Sequence, residues 1–170
     1  TVLYAEPDYY AYALAVPNDT YYASRQWNMR HIGLEAAWDT ITSSTTIVVA
    51  IVDSGVDLTH PDLVGRLASG YDFINGDSDP SDDRGHGTHV AGIVGAATNN
   101  SLGVAGVTWA GQLMPVKVLN SDGEGPWSVI AQGICWTADN GAVIINLSLG
   151  GTSYSTTLED AVNYAYSKGC

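Results

Sequence analysis

Three short motifs of the sequence carry side chains that could do chemistry. Asp53 follows an unbroken apolar run and precedes Ser-Gly, and His86 opens the stretch His-Gly-Thr-His-Val-Ala-Gly. The third motif, Ser-Leu-Gly-Gly at residues 148–151, is a short extended segment whose backbone could pair with a bound peptide as an added strand. Each motif alone also has an ordinary explanation, since Asp caps turns and a helix-initiating His is often structural. Their chemistry depends on whether the fold brings them together.

The elements that must position these residues alternate along the chain. Residues 47–52 are apolar and β-branched without alternation, which favours a strand buried on both faces of a parallel sheet. The other predicted elements are a helix over 33–41, an acidic loop over 72–83, a helix over 86–97, a strand over 113–118, a helix over 127–139, a strand over 143–147 and a helix over 157–167. This order predicts an α/β fold with a doubly wound, mostly parallel sheet and helices on both faces. Such sheets bind ligands at the carboxyl ends of their strands, where Asp53 lies.

The composition limits the classes of partner. Asp and Glu number 18 and Lys and Arg 6, so the 170-residue chain carries a formal net charge of -12. This excess argues against nucleic acid and anionic membranes as partners, and it leaves carboxylates for a hard cation such as calcium. No apolar stretch approaches the roughly 20 residues that span a bilayer. Cys135 and Cys170 set no disulfide framework, and their spacing does not tell whether they pair.

In this order and at these spacings, the three motifs resemble those of the subtilisin family of serine endopeptidases, over nearly the whole chain. The thermitase-like branch is the most similar, through residues 17–19, 24–27 and 161–165. The resemblance implies that Asp53 and His86 are the acid and the base of a Ser-His-Asp triad that hydrolyses polypeptides, in the chain order known for subtilisin itself. In such a triad the imidazole takes the proton of the attacking serine, and the carboxylate orients the imidazole.

The sequence departs from the family pattern at the third member of the triad. The family's nucleophilic serine lies in a Gly-Thr-Ser-Met-Ala motif and its oxyanion-hole asparagine on a strand just past residue 170, and the chain contains neither. Ser153 follows Gly-Thr but lacks a small apolar residue behind it, so we interpret it as a loop residue. His89, one helical turn after His86, is interpreted as a packed histidine. We expect residues 15–170 to be the N-terminal part of a peptidase domain and to be inactive alone.

The resemblance also implies a substrate cleft between two glycine-containing segments. Glycines let a substrate backbone approach closely, and a large aromatic side chain can line an apolar subsite a few residues upstream of the scissile bond. The residues predicted to contact substrate are Ser148, Leu149 and Gly150 on one wall, Gly123 and Gly125 on the other, and Trp127 in the subsite. We interpret Glu124, between the two glycines, as a solvated loop carboxylate.

Calcium is the cofactor that the resemblance implies, at two sites. Calcium prefers hard oxygen ligands, which carboxylates, amides and main-chain carbonyls supply. The predicted ligands of the first site are the side chains of Asp19, Asp62 and Asn100 and the carbonyls of Thr98, Leu102 and Val104. Those of the second site are Asp72, Asp77, Asp79 and Ser81. Alternating acidic residues also suit a solvated loop, so the second site has a simpler alternative.

The first 14 residues resemble the C-terminal tail of the family's inhibitory prosegment. That prosegment leaves the active site through the substrate cleft, so we expect it to act as an intramolecular inhibitor. Maturation would then cut the chain between about Tyr12 and Val16. The resemblance further implies a secreted, monomeric enzyme.

Two functions from other classes stay open. A zinc hydrolase could use Asp53, His60, His86 and His89, although helical zinc motifs favour a four-residue His separation and His86 and His89 are three apart. A calcium-binding module with a subtilisin-like fold and no catalytic activity is the other alternative. The coding sequence downstream of Cys170 discriminates among them, because an oxyanion asparagine and a Gly-Thr-Ser-Met-Ala motif are expected there for the peptidase alone.

Overall fold

The centre of the molecule is a parallel sheet of four strands. A computed structural model describes residues 4–8 and 15–170. The strands are β1 Val48–Asp53, β2 Tyr71–Asp72, β3 Gln112–Lys117 and β4 Ile144–Asn146, in the spatial order β2-β3-β1-β4. β1 is central, with Val49 paired to Leu113 on one side and to Ile144 on the other. Its continuous apolar run follows from this position, because every residue of β1 after Val48 is buried.

Helices cover both faces of this sheet. The helices are α1 Tyr22–Arg25, α2 Trp27–His31, α3 Leu34–Trp38, α4 His86–Gly95, α5 Trp127–Asp139 and α6 Thr156–Ser167. Ala50 and Val52 of β1 pack in a core cluster with α5 and α6, whereas Val49 and Ile51 pack in a second cluster with α4. Alternate residues of one strand point to opposite faces, so two separate cores result. The predicted doubly wound α/β fold is confirmed.

The N-terminal region contains more helix than the sequence predicts. The expected helix over 33–41 is the shorter α3, and it is preceded by α1 and α2, which the sequence analysis did not predict. Tyr22, Met29 and Trp38 form a third buried cluster with Ala105. The Tyr22 hydroxyl donates to Glu35 Oε1 over 2.9 Å. Burial and this contact raise the pKa of Tyr22 to about 12.

Two further findings concern the cysteines and the helix lengths. Cys135 and Cys170 are both free thiols. In the two stretches 4–8 and 15–170, no helix combines the length and the apolar character that crossing a bilayer demands.

Candidate active site

The structure brings Asp53 and His86 together at the carboxyl edge of the sheet. Asp53 is the last residue of β1, and His86 is the first residue of α4. His86 Nδ1 lies 2.7 Å from Asp53 Oδ1. The Asp53 side chain is fully buried, whereas 45% of the His86 side chain is exposed. A buried carboxylate therefore holds Nδ1 of an imidazole that is otherwise partly exposed to solvent.

Two glycines let the chain make this contact. Gly55 turns the chain after β1 with φ of 102°, and a Cβ there would lie 2.5 Å from the Pro80 carbonyl oxygen. Gly87, in the first turn of α4, packs directly on the Gly55 carbonyl. Because a side chain at position 87 would collide with that carbonyl, it would push His86 away from Asp53. The glycines beside Asp53 and His86 thus fix the distance between them.

Asp82, which the sequence analysis placed in the acidic loop over 72–83, holds the start of α4 in place. Gly85 occupies the N-cap position and has no side chain, so the carboxylate of Asp82 accepts the N–H groups of Gly85 and Thr88 instead. The Ser54 hydroxyl also donates to Asp82, over 2.9 Å. Burial opposes the ionisation of Asp82, but these hydrogen bonds, led by that of the Thr88 hydroxyl, hold its pKa below the ordinary value. Asp82 therefore ties the turn after Asp53 to the helix that begins at His86.

All six residues predicted to contact substrate line one cleft with His86. The cleft encloses about 370 Å³. Its lining consists of Arg84, His86, Leu119, Gly123, Glu124, Gly125, Trp127, Ile130, Ser148, Leu149 and Gly150. Arg84 is a lining residue that the sequence analysis missed. Its guanidinium packs over Gly123, and its Nη1 donates to the Ser121 carbonyl over 3.3 Å.

Ser153 and the remaining histidines lie apart from the Asp53–His86 pair. Ser153 is exposed in the loop before α6, where Ser155 is the N-cap. His60 and His89 line a different cavity, and the Asp62 N–H donates to His60 Nδ1 over 3.2 Å. His89 is exposed, so the interpretation of this residue as a packed histidine is wrong. Within residues 4–8 and 15–170, no three His, Cys, Asp or Glu side chains gather as metal ligands. The geometry gives no support to the zinc alternative.

The first predicted calcium site brings together segments distant in sequence. Asp19 and Asp62 are both buried, and the Asp19 Oδ2 accepts the Asn99 N–H over 2.8 Å. The other carboxylate oxygen of Asp19, Oδ1, is buried and has no hydrogen-bond partner among the described residues. The predicted carbonyl ligands of Thr98, Leu102 and Val104 likewise accept no hydrogen bond from the described residues. Unpartnered buried oxygens are costly unless a cation or water binds them.

Two side chains at this site are engaged within the protein. Asp62 Oδ2 accepts the Val104 N–H over 2.9 Å, and Asp62 Oδ1 accepts from Asn100 Nδ2. Asn100 Oδ1 accepts the Leu102 N–H over 2.8 Å. An amide oxygen has two lone pairs, so Asn100 Oδ1 can bind a cation while it accepts the Leu102 N–H. The donor set therefore fits calcium.

In the second predicted calcium site, each carboxylate closes a local turn. Asp72 is fully buried and accepts the N–H groups of Ile74 and Asn75. Asp77 accepts the Asp79 N–H, and Asp79 accepts the N–H and hydroxyl of Ser81. These turns explain the acidic alternation without an ion. Unlike Asp19, none of these carboxylates leaves a buried oxygen unpartnered in the part of the chain that the structure describes.

Comparisons with known proteins place the chain in a family. Residues 44–170 match the model of the subtilase family of peptidases. The chain is 48% identical to the Thermophilic serine proteinase of Bacillus sp. (strain AK1) over 168 residues, which are 99% of this chain and 42% of the relative. It is also 48% identical to Thermitase of Thermoactinomyces vulgaris over 153 residues, 90% of this chain and 54% of the relative. The chain therefore belongs to the subtilase family, and its relatives include thermitase-like members.

A solved structure agrees with this assignment. Proteases from Pseudoalteromonas arctica superpose on the chain with a TM-score of 0.81 at 36% identity, covering 90% of this chain and 56% of that one. The chain spans about half the length of the curated relatives it matches.

Proposed function

We propose that the full-length protein containing this chain is a secreted serine endopeptidase that hydrolyses polypeptides. Its triad takes the acid from Asp53 and the base from His86, and its serine comes from sequence outside these 170 residues. The observation that carries the proposal is the 2.7 Å contact between Asp53 and His86 at the edge of a peptide-sized cleft.

The contact with Asp53 supports a separate role for each ring nitrogen of His86. Because Nδ1 of His86 faces Asp53, the buried carboxylate favours the tautomer that carries its proton on Nδ1. Nε2 is then the acceptor for the serine proton as the serine Oγ forms a bond to the scissile carbonyl carbon. The imidazolium next gives this proton to the leaving amine as the C–N bond breaks, and water repeats the sequence on the acyl-enzyme. The Asp53 carboxylate holds Nδ1 and stabilises the imidazolium while it exists.

Class-selective inhibition of peptide hydrolysis tests this proposal. We expect a fluorophosphonate, which reacts with activated serines, to abolish hydrolysis of a mixed peptide library by the full-length protein. The zinc chelator 1,10-phenanthroline should leave it intact. The reverse pattern would indicate a zinc hydrolase, and a folded protein that cleaves no peptide would indicate a non-catalytic calcium-binding module.

We also propose that calcium binds between Asp19, Asp62 and the loop over 98–104. The unpartnered Asp19 Oδ1 and the free carbonyls of the loop support this site. A bound ion supplies positive charge to two buried carboxylates that both contact this loop. Calcium binding by the acidic loop of Asp72, Asp77, Asp79 and Ser81 stays a prediction, because its hydrogen bonds already account for the carboxylates.

For the N-terminal residues, we propose that 1–14 are the end of a prosegment that inhibits its own enzyme. Residues 4–8 form no helix or strand and are exposed. The cut predicted between about Tyr12 and Val16 falls partly in residues 9–14, which lie outside the described residues. Secretion and a monomeric state are proposals that rest on the subtilisin resemblance.

Arg84 predicts a charge preference for the substrate. Among the described residues that line the cleft, it is the one permanent cation, and it lies two residues from His86. We expect Arg84→Glu to lower the ratio of kcat/KM for peptides with Glu against Lys near the scissile bond by about tenfold, which corresponds to about 1.4 kcal/mol.

Matched peptides that differ in this one residue measure the ratio for the wild type, Arg84→Glu and the control Arg84→Lys. The control should keep the wild-type ratio, and 1 M salt should reduce the difference between variants because it screens exposed charges. Equal ratios for Arg84→Glu and the wild type would show that the substrate does not approach Arg84.

A further inference from the structure

Lys117, at the end of β3, has a buried ammonium group that the mechanism above does not use. Only 1% of the residue is exposed. Its Nζ donates to the Asp83 carboxylate over 2.6 Å, to the Ser54 carbonyl over 2.7 Å and to the Leu119 carbonyl over 3.0 Å. A lysine ammonium has three N–H donors, so these acceptors use all of them. The side chain is therefore held in one position.

The acceptors belong to the segments that carry the active site. Ser54 directly follows Asp53, and the Asp53 carbonyl accepts the N–H groups of Val118 and Leu119. Asp83 follows Asp82, the carboxylate that holds the start of α4 at His86. Leu119 lines the cleft and begins the segment that continues to Gly123 and Gly125.

A gain in folding stability from the Lys117–Asp83 ion pair does not explain why the ammonium is buried. The Lys117 side chain is 2% exposed, whereas that of Asp83 is 51% exposed. The cation of this ion pair is therefore buried, and its anion is partly in water. Removing an ammonium from water is costly, and an apolar side chain of the same size would avoid that cost. Unlike an apolar group, the ammonium donates three hydrogen bonds at once, each to a different segment.

We infer that Lys117 is a positioning residue of the active site, which fixes the turn after Asp53, the loop before His86 and one cleft wall relative to one another. This inference rests on the proposed peptidase function. Without the ammonium, Ser54 and Asp83 lose their shared donor. The segments that carry Asp53 and His86 are then free to move relative to each other. A displacement of about 1 Å between catalytic groups can cost about 100-fold in rate.

Steady-state kinetics of the full-length protein test this role. We expect Lys117→Met, which keeps the volume and removes the donors, to lower kcat by about 10- to 100-fold and to change KM by less than about threefold. Asp83→Asn should lower kcat in the same direction by a smaller factor. The matched control is Lys168→Met. Lys168 directly follows α6, is exposed and pairs with Asp139 at the end of α5, so the kcat of this variant should equal that of the wild type.

The outcomes separate this inference from the proposed function. A wild-type protein that hydrolyses no peptide would overturn both. An active wild type whose Lys117→Met variant keeps its kcat, with or without a lower melting temperature, would overturn the positioning role alone. If Lys117→Met does not fold, Asp83→Asn decides, and an unchanged kcat in that variant would overturn the role.

Discussion

Replacing His86 with alanine in the full-length protein should lower kcat for peptide hydrolysis by about 10⁶-fold and leave KM nearly unchanged. The size of the loss is the one known for subtilisin itself. The physical reason is that, among the described residues, no second histidine ring contacts Asp53, so the serine loses its proton acceptor. Asp53→Asn should lose about 10⁴-fold, because it keeps the contact but favours the wrong imidazole tautomer.

A histidine outside the site serves as the control. His31 makes an edge-on contact with the exposed ring of Trp27 in α2, and His31→Ala should keep the wild-type kcat. Equal melting temperatures of the variants would show that lost activity does not come from lost folding. Near wild-type turnover by His86→Ala would mean that the base lies elsewhere.

Calcium removal should give the second largest effect, on stability. An ion that binds the folded state alone stabilises it by about 2.7 kcal/mol at a hundredfold excess over its Kd. For a full-length domain of about 250 residues or more, that corresponds to at most roughly 5 °C in Tm. Asp19 and Asp62 are buried carboxylates from distant segments, so chelation leaves their charges without a cation. We expect the midpoint of thermal unfolding to fall by this amount in excess chelator.

The measurement uses the full-length His86→Ala variant, which cannot digest itself. Asp19→Asn should abolish most of the calcium response, whereas Asp79→Asn should abolish a part of it only if the acidic loop also binds calcium. Asp139→Asn is the control, because its carboxylate is exposed and pairs with Lys168. A midpoint that calcium and chelator leave unchanged would show that the loop over 98–104 is an ordinary turn.

The sequence predicted the sheet well because its signals are local. The apolar run of β1 and the carboxylate after it are contiguous, and a parallel sheet leaves little choice for the edge at which Asp53 lies. The helices α1 and α2 escaped prediction because four or five residues show no periodicity. They form because Tyr22 and Met29 pack with Trp38 and Ala105 in one buried cluster. These residues are too far apart in the sequence for a local pattern to reveal their contacts.

The candidate site was predictable where a motif marks it and hidden where distant contacts create it. Asp53, His86 and the cleft walls stand in motifs that a family shares. Lys117 looked like an ordinary strand residue, since its Ser54 partner is 63 positions away. The acidic loop shows the opposite problem, because residues that close turns with their own backbone have the same alternation as calcium ligands.

Mass spectrometry of the full-length protein after fluorophosphonate treatment tests the roles of Asp53 and His86 most directly. We predict one phosphonylated serine, in a peptide outside residues 1–170, and a labelling rate that falls by at least about 10³-fold in His86→Ala. An adduct on Ser153, or equal labelling of the wild type and His86→Ala, would contradict the assignment of His86 as the base of a serine peptidase.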